Sequence, residues 1–271
     1  MIHVFLAEVR KLKRITLSLP TLLAAAGLTA LTTSLLYLLI DSPRGNGREG
    51  ARITPEILSK ANGVVHGFQE TATLLGVIAL CIFAAQTAQE YTYGTLRNIL
   101  VRQPSRMKVL GGKYLAMVLF ATIIVIVAAA VSISISFGLA GGANVSTTLW
   151  TTSAGYHAIT EAFVNVFIST ICFGTLGMIL GLLLRSPISS IAIGVIWILI
   201  VENLLSAVVN HIGKWLPGQL LTAVSMGGTP TDPITGAAEI SYQRGIVGGV
   251  SYIIAGAIVV SILFKQRDVA N

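Results

Sequence analysis

From Thr16 to Ile40 the chain carries no charged residue, and five more long apolar runs follow at 67–89, 109–138, 157–184, 188–205 and 245–264. About 20 apolar residues in a helix cross the ~30 Å of a bilayer's hydrocarbon. With no water there to satisfy peptide groups, a span must be a helix or part of a closed barrel. Runs of this length therefore predict an all-α integral membrane protein with six transmembrane helices in one domain, 1–271. Composition excludes the alternative. Of 271 residues, 54% are hydrophobic and 11% charged, with a mean hydropathy of +0.81. Soluble domains carry roughly 25% charged residues.

The chain has 18 Lys and Arg against 11 Asp and Glu. This surplus does not point to nucleic acid, because the basic residues cluster where apolar runs end. Twelve fall on one side of a six-span arrangement and six on the other, which by the positive-inside bias puts both termini in the cytoplasm. Residues 1–15 mix Val4, Phe5, Val9 and Leu12 with Glu8, Arg10, Lys11, Lys13 and Arg14. That spacing predicts an interfacial helix lying along the inner membrane surface. The run after it is too long for the h-region of a cleaved signal, so an uncleaved first span is expected. Residues 206–243 form an outer segment in which Ile212, Trp215, Leu216, Leu220, Leu221 and Val224 are interrupted by Pro217 and Gly218. Short re-entrant or interfacial helices are expected there.

No catalytic constellation is visible. Gly111-Gly112-Lys113 lacks the first glycine of a phosphate loop and has Tyr114 where Ser or Thr is required. Neither Gly-x-Ser-x-Gly nor His-Glu-x-x-His occurs. Cys81 and Cys172 lie inside apolar runs, which suits small apolar packing rather than a disulfide or a metal. Glu70, His157, Glu161 and Glu202 map to the outer half of the spans, where hydrated acids are expected; they are candidates for an outer vestibule. A proton relay would place acids near the midplane. Gly177-xxx-Gly181 is a close-approach motif, either within the chain or at a dimer seam. Ser132, Ser134 and Ser136 are expected to bond back to their own helix.

Between the second and third runs lies a charged island, residues 90–108. It contains Glu90, Tyr91, Gly94, Thr95, Leu96 and Arg97, then Pro104 and Arg106, with Lys113 beyond. Leu96, Ile99 and Leu100 fall on one helical face, Arg97 and Arg102 rim it, and Pro104 ends it. Glu90 begins the island, where its carboxylate is expected to cap the N-terminus of the island helix or to pair with Arg97. The pattern Glu-Tyr-x-x-Gly-Thr-Leu-Arg, followed by Pro-x-Arg and Gly-Lys, resembles that of permease subunits in the type-2 family of ABC exporters.

The resemblance implies a permease without a catalytic site or cofactor of its own. ATP and Mg would be bound by a separate ABC ATPase subunit, two copies per transporter, beside a second permease chain, identical or homologous. Residues 90–108 would be the cytosolic coupling helix. Glu90, Tyr91, Gly94, Thr95, Leu96, Arg97, Ile99, Leu100, Pro104 and Arg106 would meet the ATPase. The cargo would be an amphipathic or lipid-like substrate, a drug or a peptide, and the site of action the cell membrane and its lipids. Two other classes stay open: a secondary transporter and a non-transporting membrane assembly factor.

Overall fold

The computed structural model describes residues 2–40, 54–95, 105–209, 211–229 and 239–266, and these are helical almost throughout. In chain order the helices are α1 (Ile2–Leu12), α2 (Ile15–Leu38), α3 (Pro55–Leu58), α4 (His66–Thr92), α5 (Arg106–Ala140), α6 (Ser153–Leu184), α7 (Pro187–Ile196), α8 (Glu202–Val208), α9 (Pro217–Met226) and α10 (Tyr242–Gln266). A π-helical stretch, Trp197–Val201, joins α7 to α8. Among the described residues, five helical stretches are long and apolar enough to cross a membrane: Ile15–Leu38, Gly63–Thr92, Met107–Ala143, Ser153–Leu184 and Pro187–Val208.

Local sequence explains where the helices break. Arg185 takes a left-handed conformation (φ 53°) and closes α6, Ser186 caps α7 through the Ser189 N–H, and Pro187 opens it. Three residues thus reverse the chain. Pro217 breaks the apolar run as expected: a 3-10 turn ends at Trp215, and Pro217 starts α9, where its missing N–H costs nothing, with Gly227 (φ 78°) ending that helix. Pro20 lies inside α2 rather than in its first turn, so one helical hydrogen bond is lost there.

α4 is the central and most enclosed of the apolar helices, and α2 the least. Its closest neighbour is α6, and glycines set that distance. A Cβ on Gly177 would sit 2.2 Å from the Leu80 carbonyl oxygen, and one on Gly181 would sit 2.8 Å from that of Ala84. Gly76 receives the Phe173 ring, and Gly174 receives the Phe83 ring. The two readings of Gly177-xxx-Gly181 are thereby separated: the seam lies within the chain. α2 is held by hydroxyl pairs, Thr32 to Thr71 at 2.6 Å and Thr33 to Ser132 at 3.0 Å. Ser134 bonds back to the Ala130 carbonyl as expected, but Ser132 does not conform, because it faces α2. Large apolar side chains of α2 (Leu19, Leu23, Leu31), of Pro187–Val208 (Ile188, Ile196, Leu204) and of α10 (Val247, Ile254, Ile258) remain exposed. Only lipid or another apolar surface suits such faces.

Candidate functional site

Four charged side chains meet at one end of the bundle, where α4 ends and α5 begins. α1 supplies the first two. Its residues Phe5, Glu8, Val9 and Leu12 share one helical face. Phe5, Val9 and Leu12 pack on the core, and Glu8 is buried with them at 4% exposure. Lys11, one turn on, reaches the Glu8 carboxylate at 2.6 Å.

Glu90 sits in the last turn of α4 and is also buried. A carboxylate at a helix C-terminus faces the negative end of the dipole and needs a counter-charge. Lys113, on α5, provides it at 2.8 Å. Its ammonium also donates to Glu8 Oε2 at 3.2 Å and to the Gln86 carbonyl at 2.8 Å. All three donors of an ammonium are then engaged. Lys11 Nζ adds a longer contact to Glu90 Oε1 at 3.4 Å. Two carboxylates and two ammonium groups thus form one neutral cluster linking α1, α4 and α5. Burial alone would lower the Lys11 pKa, but the bond to Glu8 and the charges of Glu8 and Glu90 outweigh it, leaving it above the ordinary 10.5. A raised value means that this lysine's contribution to stability is complete below pH ~10 and is lost only as pH climbs through the folded-state pKa.

Arg97, the expected partner of Glu90, lies outside the described residues; Glu90 itself is in the last turn of α4, not at a helix N-terminus, and two lysines engage it. Beside it, Tyr91 lies under the Arg185 guanidinium, 5.2 Å from the ring centroid. This contact ties the end of α4 to the tight turn between α6 and α7. Thr92 ends the helix, and Gly94 takes φ 64°, turning the chain away. Thr95 is the last described residue on that side. Leu96, Arg97, Ile99, Leu100 and Pro104 lie outside the described residues, and Arg106 is the first residue of α5. The island expected at 90–108 therefore gives its first residues to α4 and its last to α5.

Among the described residues, no heavy atom beyond its chain neighbours lies within 4 Å of a Cβ built at Gly94, so the glycine requirement seen there is one of backbone conformation. Gly94→Val should cost about 1–2 kcal/mol of unfolding free energy, because a β-branched residue is strained at positive φ. Gly94→Asn should cost much less, since Asn tolerates that region. Thermal unfolding of the detergent-purified variants measures both.

Of the four outer-vestibule candidates, the only pair in contact among the described residues is His157 and Glu161, neighbours one turn apart on α6. Glu70 lies 3.9 Å from His66 of its own helix, and Glu161 lies 3.7 Å from His157, both of the latter exposed. Glu202 corrects the expectation of hydrated acids, because its residue exposure is 0%. Its two oxygens accept the N–H groups of Gly218 and Gln219 at 3.0 Å each. It caps α9 from outside that helix, and Gly218 permits the approach: a Cβ there would sit 2.6 Å from Glu202 Oε2.

Sequence reasoning passed over Glu8 and Lys11 as part of a basic amphipathic tail, and treated Lys113 only as a motif residue. One signal was available: Glu8 is the only acid of that tail, on the same helical face as Phe5, Val9 and Leu12. A cavity of about 560 Å³ opens beside the cluster, lined in part by Lys11, Arg14, Thr16, Gln86, Gln89 and Glu90.

No curated protein matches this chain. Residues 59–270 match DUF2705, described as a protein of unknown function, and the chain belongs to that family.

Proposed function

We propose that the chain is the transmembrane permease subunit of a type-2 ABC exporter, moving an amphipathic or lipid-like substrate, drug or peptide with ATP hydrolysed by a separate ATPase. The observation that carries this reading is the convergence at the end of α4. The sequence pattern of the coupling element begins at Glu90, and Glu90 is bonded to both the amphipathic α1 and the start of α5. A force applied where the chain leaves α4 would reach both helices without passing through a flexible loop.

In this reading α10, 25 residues and about 37 Å long, is a sixth span. Both termini face the cytoplasm, α1 lies on the inner surface, and α9 packs at the outer side, partly within the bilayer. Two such permeases, identical or homologous, pair with two ATPase subunits in the cell membrane. The glycine seam is used inside the chain, so a dimer contact would draw on the exposed faces of α2, of 187–208 or of α10. A secondary transporter would draw on the buried Glu202, but both of its oxygens are held by backbone N–H groups.

The test is made on the coupling element. Leu96 and Leu100 would be the apolar anchors seated in the ATPase, each about 2 kcal/mol at an interface hot spot. Leu96→Ala with Leu100→Ala should abolish co-purification of the ATPase and substrate-stimulated ATP hydrolysis, while membrane insertion persists. If the double variant keeps both at the wild-type level, the permease reading loses its main support.

A further inference from the structure

We propose that the cavity beside the charged cluster binds a phosphate-bearing anion, one such group per chain. Three features converge on this. The first is charge. Lys11, Arg14 and Lys113 line the cavity, and the carboxylates bound to the two lysines are those of Glu8 and Glu90. Three cations against two anions leave one positive charge, and the surplus cation is Arg14.

The second feature is hydrogen-bonding capacity. Arg14, Thr16, Gln86 and Gln89 all line the cavity. Among the described residues, none of the four makes a side-chain hydrogen bond or ion pair. Lys11 uses its ammonium on Glu8 and Glu90 and keeps a third N–H. An arginine fork, an ammonium N–H, two carboxamides and a hydroxyl are spread around one space. Several acceptor oxygens on one centre satisfy such a set better than the two of a carboxylate.

The third feature is place and size. Arg14 immediately precedes α2, a helix long and apolar enough to cross a membrane. The cavity therefore opens at the level where a lipid bilayer keeps its headgroups. At about 560 Å³ it exceeds a bare phosphate and has room for a phosphate with a small polar headgroup. The inference does not rest on the transporter reading, since it concerns only this cavity and the membrane level.

Phosphate presented by an anionic lipid and phosphate free in solution share this chemistry, and one experiment separates them. The full chain, purified in detergent, is titrated with dioleoyl-phosphatidylglycerol, dioleoyl-phosphatidylcholine and inorganic phosphate, and retention is read by native mass spectrometry. The expected result is one retained phosphatidylglycerol per chain, weakened about tenfold by Arg14→Gln. Gln89→Ala should weaken it to a lesser degree, Arg14→Lys should restore most of it, and Lys60→Gln, elsewhere on the surface, should leave it unchanged. Displacement of the lipid by inorganic phosphate would support a site for phosphate itself, and persistence of the lipid would support a headgroup site. Equal retention of phosphatidylcholine would overturn the proposal, as would retention indifferent to both Arg14→Gln and Gln89→Ala.

Discussion

Lys113→Met is expected to destabilise the protein by about 3–5 kcal/mol. The lysine is 3% exposed and holds two buried carboxylates and a carbonyl. Methionine fills the same space but leaves Glu8 and Glu90 sharing only Lys11. That residue's side chain is 42% exposed, so solvent screens much of what it offers. The penalty comes from stranded charge, not from lost packing, and this can be separated. Adding Glu8→Gln and Glu90→Gln to Lys113→Met removes the stranded charges and should recover most of the loss. Thermal unfolding in detergent reads the stability, and limited proteolysis within residues 1–15 reads whether α1 is still seated. A single variant as stable as the parent would mean that the cluster is hydrated and holds nothing together.

Gly177→Val should be nearly as damaging, by about 3 kcal/mol, through the α4–α6 seam. The contact a side chain would meet there is the Leu80 carbonyl at 2.2 Å, part of a rigid helix that cannot swing aside. Gly174→Ala is the informative comparison. Its added methyl would meet the Phe83 ring at 2.9 Å, and a side chain relaxes more readily than a backbone. Gly138→Ala meets nothing within 4 Å among the described residues and should be neutral or mildly stabilising. If Gly177→Val unfolds like Gly138→Ala, the two helices are not in contact at this depth.

The ends of the helices were readable in the chain because their signals are local. The charge-free run after Arg14 and the Pro217-Gly218 pair each act within one or two turns. Partnerships across the bundle were not readable. Nothing beside Gly177 names Leu80 as its neighbour, and nothing beside Ser132 names Thr33. Glu202 stands near the end of an apolar run, where a hydrated acid is the ordinary outcome. Its burial follows from a helix that returns 16 residues later to present two N–H groups. The candidate site divides the same way. The motif around Glu90 marked the place, but Glu8 is brought to it only by the packing of α1. The buried face of α1 is visible as a pattern, whereas its partner is a property of the whole fold.

The bond between Glu8 and Lys113 closes a separation of 105 residues, and this sets an order of events during synthesis. At roughly 5–20 residues per second, about 5–20 s pass between translation of the two. Through that interval Glu8 has only Lys11, one turn away on the same short helix, to neutralise it. α1 thus precedes α5 in synthesis, yet it cannot complete its seat until α5 has arrived. A helix made before α2 and α4 is therefore fastened only after both of them exist, by a lysine 105 residues further on.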